Sequence, residues 1–212
     1  INCIGSIKQK QSSFDEYLKI NSYFPKKLNI ACNKHKSKLI HFSTDCVFNG
    51  KYGNRYEVDQ PDALDLYGIT KFLGEINNNN SITLRTSIIG HELESSYGLL
   101  EWFLSKENSV HGFQNALFSG LTVLELAKII EMHIIPRKNL NGIINISGNT
   151  ISKYDLLEII AKVYKKSTKI IPNKAIKIDR SLNCDYFKEL TNYQAPPWTD
   201  LIQSMYKFNI SS

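Results

Sequence analysis

Thr44, Tyr67 and Lys71 supply a hydroxyl, a phenol and an ammonium close together in the chain. A phenol is a poor acid at neutral pH, with an ordinary pKa of about 10. A lysine beside it favours the phenolate and lowers that value. In Tyr67-Gly-Ile-Thr-Lys71 the two groups stand at i and i+4, one turn apart on the same face of a helix. A hydroxyl from Thr44 would hold a substrate oxygen while Tyr67 gives or takes its proton. The chemistry this equips is reduction of a ketone or oxidation of an alcohol. The same spacing also arises as a surface tyrosine beside a solvated lysine, so the surrounding elements decide.

Those elements favour a site. Residues 38–42 read as a short buried strand that runs into Ser43-Thr44-Asp45 and then Cys46-Val47-Phe48-Asn49-Gly50. A polar loop continues to about Asp65, and residues 66–76 read as a helix. The hydroxyls therefore fall at the carboxyl end of a strand, where open α/β sheets bind ligands. Upstream, residues 15–36 read as one helix with a break or bend at Pro25. Downstream, the four asparagines 77–80 make a turn and residues 82–86 a strand. Helix, strand, helix, strand implies parallel pairing with right-handed crossovers. Beyond Gly90 the reading is a loop over 91–96, helices over 98–106 and 121–133, and a buried strand over 142–147. A helix capped by Ser152 then runs to Tyr164, and short helices cover 183–190 and 199–208.

The run STDCVFNGKYGNRYEVDQPDALDLYGITKFLGE, residues 43–75, resembles the extended short-chain dehydrogenase/reductases. Within them it is most similar to the dTDP-4-dehydrorhamnose reductase group. That group carries a strand ending in S-T-D-x-V-F, a Gly-bearing acidic loop, then P-x-x-x-Y-G-x-[ST]-K-x-x-G-E. Here these are Ser43, Thr44, Asp45, Val47 and Phe48, then Pro61, Tyr67, Gly68, Thr70, Lys71, Gly74 and Glu75. Leu84-Arg85-Thr86-Ser87-Ile88-Ile89-Gly90 is similar to the family strand and loop near the nicotinamide. Weaker similarity continues through Gly120-Leu121-Thr122 and residues 143–147.

The resemblance implies an α/β fold, with part of a Rossmann-type parallel sheet and a small C-terminal substrate-binding region. Residues 1–90 would be the C-terminal part of an NAD(P)-binding domain. Residues 91–212 would be mainly substrate-binding, with late elements returning to the sheet. The implied cofactor is NADPH (or NADH), and the implied partner is a nucleotide-diphosphate sugar. By the same resemblance Tyr67 is the general acid, Lys71 lowers its pKa and binds the nicotinamide ribose, and Thr44 orients the keto oxygen. Asn2, Ile4, Gly5 and Ser43 would line the cofactor groove, or Asn2, Ile4 and Gly5 simply pack a strand. Arg85 and Ser87 would approach the nicotinamide amide or the substrate; a buried arginine paired with an acid is the alternative for Arg85. Asp45 would bind a sugar hydroxyl or cap a loop. Phe118, Gly120 and Arg180 are candidates for the sugar nucleotide, with a solvated arginine as the alternative for Arg180. A non-catalytic sugar-nucleotide-binding or regulatory homologue, or an epimerase, would use the same equipment.

Family members begin with a G-x-x-G-x-x-G turn that receives the cofactor pyrophosphate. No such glycine pattern occurs in this chain, and Ile1-Asn2-Cys3-Ile4-Gly5 is similar to the end of the fourth family strand. About 55–60 residues of the usual nucleotide-binding half are expected to be missing, as a fragment, a degenerate product or a processed chain.

Composition sets wide bounds. With 42% hydrophobic and 22% charged residues the chain reads as an ordinary soluble protein. No apolar run nears the ~20 residues of a membrane span. The four cysteines lack C-x-x-C spacing and the five histidines form no ligand motif, so a reduced, cytoplasmic, metal-free protein is expected. A net charge of +6 suits a nucleotide-diphosphate sugar, while the scattered lysines read as a solvated face and not as a nucleic-acid site. Oligomeric state stays open, a homo-oligomer being one outcome.

Overall fold

The computed structural model describes residues 1–10, 12–93 and 95–211, with side chains through residue 209. Glu94, inside the expected loop over 91–96, lies outside the described residues. Apolar residues and caps define each element in turn. The first helical stretch is α1 (Phe14–Tyr17), a π-helical turn over Leu18–Tyr23, and α2 (Phe24–Lys34). Ser13 caps α1 by accepting from the Glu16 amide. The expected single helix over 15–36 is thus continuous but widened just before Pro25. Proline offers no amide and its ring crowds the carbonyl four residues back. The π turn meets that demand, its last bond running from the Phe24 amide to the Lys19 carbonyl.

The main sheet is parallel, in the order β1-β2-β7. It comprises β1 (Leu39–Phe42), β2 (Ser81–Arg85) and, much later, β7 (Gly142–Asn145). Leu39 is in register with Ser81 and Ile82 with Gly142. All five residues of β2 are buried, as expected of a central parallel strand covered on both faces. Asn2 forms a one-residue parallel bridge to His41, donating to the Ile40 carbonyl at 2.8 Å and accepting from Phe42 at 3.3 Å. Between β1 and β2 lies α3 (Leu66–Leu73), the crossover helix. It ends three residues earlier than expected, at Gly74, whose position leaves no space for a side chain. A Cβ there would overlap the Asn21 carbonyl oxygen, the one that Pro25 cannot bond.

After β2 come β3 (Ile88–Ile89), α4 (Leu99–Leu104), β4 (Ser109–Phe113), β5 (Ala116–Phe118) and β6 (Leu121–Thr122). Then α5 (Val123–Ile129) continues into a second π turn, Ile130–Ile134. The helix expected from residue 121 therefore starts two residues later, behind a short strand whose Thr122 caps it. Past β7 follow β8 (Ile151–Ser152), α6 (Lys153–Tyr164), β9 (Lys169–Asn173), β10 (Ile178–Asp179), α7 (Asp185–Thr191) and α8 (Trp198–Ser211). Ser152 caps α6 as the sequence predicts, accepting from the Asp155 amide. Small sheets pair β3 with β6, β4 with β9, and β5 with β10 and β8.

The main core joins the sheet to the later helices. Ile82, Leu84, Ile144 and Ile146 from the sheet region pack with Leu100, Phe103, Leu156, Ile160, Phe187 and Ile202. Among the described residues, no helix is long and apolar enough to cross a membrane.

Candidate active site

The chain turns sharply as it leaves β1. Thr44 is extended and its hydroxyl accepts the Cys46 amide at 3.1 Å, capping a short 3-10 turn over Asp45–Val47. Two backbone bonds fix this turn against the end of β2: Ser43 N to Leu84 O at 2.8 Å and Asp45 N to Thr86 O at 3.2 Å. Opposite stands the start of α3. Asp65 caps it, accepting the Gly68 amide at 2.9 Å, and Lys8 pairs with the same carboxylate at 2.8 Å. Gly68 allows the helix to touch the turn: a Cβ there would overlap the Cys46 carbonyl and Ala63. That contact sets the Tyr67 phenol near enough to Thr44 and Cys46 for both to act on it.

One turn on, the Lys71 ammonium donates to the Phe42 carbonyl at 2.6 Å. Burial lowers its pKa to about 8, with Glu75 opposing the shift. The Tyr67 phenol is held above its ordinary value, first by burial and then by Cys46, with the Thr44 hydrogen bond opposing and Asp45 and Asp65 adding to the rise. The expectation that Lys71 lowers the phenol is thus corrected for the chain by itself. The ammonium is directed at a backbone carbonyl, and the groups that face the phenol are acidic. Cys46 is itself pushed up to about 12 by burial and Asp45. Asp45 is buried and raised by desolvation; the Cys46 hydrogen bond, Arg180 and Thr44 oppose this, and Lys153 contributes from the start of α6. Thr44 gives its own proton to Asp45 at 3.2 Å.

The N-terminal segment runs past Lys71. Asn2 is buried, bonding the His41 Nδ1 at 3.0 Å and accepting the Ile4 amide at 3.1 Å. Ile4 and Gly5 are exposed, and a Cβ on Gly5 would stand 3.8 Å from the Lys71 Nζ. The π turn holds this backbone in place. Asn21 bonds both the amide (2.8 Å) and the carbonyl (3.1 Å) of Ser6, while Ser22 bonds the Thr70 carbonyl at 2.7 Å.

The other sequence candidates are dispersed. Arg180 lies with Asp45: its Nε donates to the Phe48 carbonyl at 2.8 Å and its charge acts on Asp45 and Cys46. Ser87, Phe118 and Gly120 meet each other, since a Cβ on Gly120 would overlap the Ser87 carbonyl and the Phe118 ring. Three side chains are engaged inside the protein. Ser43 donates to Glu75 at 2.7 Å. Arg85 makes a two-pronged ion pair with Glu75 at 2.8 and 2.7 Å and also donates to the Glu57 carbonyl, which is the acid-paired alternative the sequence left open. The Phe118 ring packs on Trp198 at 5.6 Å.

Sequence reading missed Asp65, Asn21, Cys46 and Glu75 as organisers of the site. Asp65 was readable as a cap three residues before Gly68 at a helix start. Nothing local marks Asn21 or Cys46, whose partners are distant in the chain. Among the described residues no His, Cys, Asp and Glu cluster could hold a metal ion.

Known proteins share this fold. A 92-residue stretch is 33% identical to the spore coat polysaccharide biosynthesis protein SpsK of Bacillus subtilis, covering 41% of this chain and 32% of that protein. The match thus spans about a third of the curated relative's length. The dTDP-4-dehydrorhamnose reductase of Bacillus anthracis, solved in complex with NADP, superposes with a TM-score of 0.82 at 20% identity, over 97% of this chain and 78% of that one. The UDP-glucuronic acid 4-epimerase of Bacillus cereus, solved with NAD, gives 0.73 at 22% identity, over 98% and 71%. At these identities the solved structures establish a common fold, a Rossmann-type α/β architecture. With the family model for the RmlD substrate binding domain matching residues 8–208, the chain belongs to that family of sugar-nucleotide reductase-like proteins.

Proposed function

We propose that the protein reduces a nucleotide-linked keto-sugar with NADPH (or NADH), in deoxysugar or surface-polysaccharide synthesis. The observation that carries this reading is the convergence of Tyr67, Thr44 and Lys71 at the carboxyl end of β1, beside exposed backbone at Ile4 and Gly5. The exposed backbone at Ile4 and Gly5, beside the Lys71 Nζ, leaves room there for a nicotinamide cofactor. Asn2, Ile4, Gly5, Tyr67 and Lys71 would hold that group, which when bound supplies the hydride. Residues 1–90 then act as the cofactor-side part and 91–212 mainly as the substrate-side part.

Each side chain has a share in the proton chemistry. Tyr67 gives its proton to the oxygen that gains charge as the ketone is reduced. Lys71, cationic below about pH 8, would stabilise the phenolate left behind once its ammonium turns from the Phe42 carbonyl. Thr44 fixes the keto oxygen by turning its hydroxyl from Asp45 to it, which frees Asp45 to meet a sugar hydroxyl. Arg85 and Ser43 support the site through Glu75 and need touch neither ligand.

A second reading, sugar-nucleotide binding without turnover, is favoured by one observation. The Tyr67 phenol is held above its ordinary value while the Lys71 ammonium is bonded to the Phe42 carbonyl. The test is to supply the protein with NADPH and a nucleotide-linked 4-keto sugar and follow cofactor absorbance and the sugar product. Reduction supports the first reading. Saturable sugar-nucleotide binding with no cofactor oxidation supports the second.

A further inference from the structure

A cavity of about 310 Å³ lies between α6 and α8, and none of its lining residues has a part in the chemistry above. Helical spacing builds it. Leu201, Ile202 and Met205 bury α8 in the core that also holds Leu156, Leu157 and Ile160 of α6. Thr199, Gln203, Tyr206 and Lys207 recur at i, i+4, i+7 and i+8, so they share another face of α8 and form one wall. Lys162 and Val163, in the last turn of α6, form the other. Each wall thus carries an ammonium. Val163 and Tyr206 are half-buried and add apolar surface, while Thr199 and Gln203 are exposed and offer a hydroxyl and an amide.

The lining selects an occupant by charge and size. Among the described residues no carboxylate stands within ion-pair distance of Lys162, not even Glu158 one turn earlier on α6. A phosphate monoester carries about −1.5 to −2 at pH 7, which matches two ammonium groups. The volume sits at the small end of ligand pockets, about 300–1,000 Å³, so it suits one sugar ring with its phosphate and not a sugar nucleotide. Direct contacts also join the cavity to α4. The Tyr206 ring meets the Tyr164 ring edge-on at 4.9 Å. The Tyr164 hydroxyl shares a 2.8 Å hydrogen bond with His91 Nε2, and His91 Nδ1 bonds Glu101 at 2.6 Å. His91 opens the loop that leads to α4, and Glu101 stands on α4 itself.

We propose that this cavity is an effector site for a phosphorylated monosaccharide. The phosphate lies between Lys162 and Lys207, the sugar hydroxyls meet Thr199 and Gln203, and the sugar ring rests on Tyr206. Occupancy restrains the Tyr206 ring and is passed through Tyr164 and His91 to Glu101 on α4. The site uses none of the residues proposed for turnover, so it stands apart from the reductase reading.

The test is calorimetric titration of the protein with glucose 1-phosphate, glucose and inorganic phosphate. Glucose 1-phosphate should bind saturably and more tightly than either part. Lys162→Gln should weaken it by on the order of ten- to a hundredfold, the range of a hydrogen bond to a charged group. Gln203→Ala should weaken it by roughly two- to tenfold, as for a neutral hydrogen bond. Both side chains are exposed, so their replacement leaves the core intact, and circular dichroism melts check that each variant folds. Proton–nitrogen spectra of the histidine rings, assigned with His91→Gln, give the second readout. The His91 signals should shift along the same binding curve. Tyr164→Phe keeps the ring against Tyr206 and removes the bond to His91, so it should bind normally and lose most of that shift. No saturable binding, equal affinity for inorganic phosphate, or full affinity in folded Lys162→Gln overturns the site. Binding that leaves the His91 signals unmoved overturns its role as an effector site. None of these outcomes depends on turnover, so loss of the reductase reading would leave the test in force.

Discussion

At the scale of single residues, burial does more than charge to set the site's chemistry. Lys71 is enclosed with one carbonyl partner and a pKa of about 8. It carries its charge below that pH and loses it above. Since kcat/KM reports groups of the free enzyme, its profile for keto-sugar reduction should fall above about pH 8, and Lys71→Met should be slow and lack that limb. A limb near the ordinary lysine value of about 10.4 would show that burial does not depress Lys71. The chemistry-bearing residues were legible because they sit in one contiguous motif. Their protonation was not, because the groups around Tyr67 are enclosed by a fold that no local pattern displays. Ser43 and Arg85 show the same limit. Their types suit a ligand, yet both point to Glu75.

At the scale of elements, Glu75 joins β1, β2 and the end of α3 by accepting from Ser43 and both prongs of Arg85. The Arg85 and Glu75 side chains are 2% and 3% exposed. Removing the acid leaves a guanidinium buried without its partner, which typically costs about 3–5 kcal/mol. Glu75→Ala should therefore lower the urea midpoint sharply, whereas Ser43→Ala should cost about 1 kcal/mol. Equal, small losses in the two variants would mean that Arg85 finds another partner. The order of β1, α3 and β2 was readable from buried runs, turn residues and helical spacing. The pairs β4–β9 and β5–β10 were not, because each joins short segments far apart in sequence. Their meaning lies in the partner strand: Gly112 looks like a turn residue until β9 and α6 press against it. The two π turns escaped notice because their sequence has ordinary helical periodicity.

At the scale of the whole molecule, stability should depend on pH through His41. It is fully buried on β1, and burial and then Lys71 lower its pKa to about 3. The unfolded value is about 6.5. Between these values the unfolded chain takes a proton that the folded chain refuses. Stability is therefore complete above about pH 6.5 and is lost as the pH falls, at about 1.4 kcal/mol per unit from this group. Urea melts between neutral and mildly acid pH should show that slope, reduced in His41→Gln; equal slopes would remove His41 from the account. The parallel sheet itself, with β7 returning beside β2 from far along the chain, follows the fold class read from the sequence. All of this architecture serves one claim, that the molecule passes a proton from Tyr67 to a keto-sugar oxygen. Tyr67→Phe keeps the ring and removes the proton, so the most direct measurement is its rate of NADPH oxidation with a nucleotide-linked 4-keto sugar. The account predicts a kcat lower by roughly 10²- to 10⁴-fold with KM little moved. A Tyr67→Phe variant that turns over like the wild-type protein would contradict it.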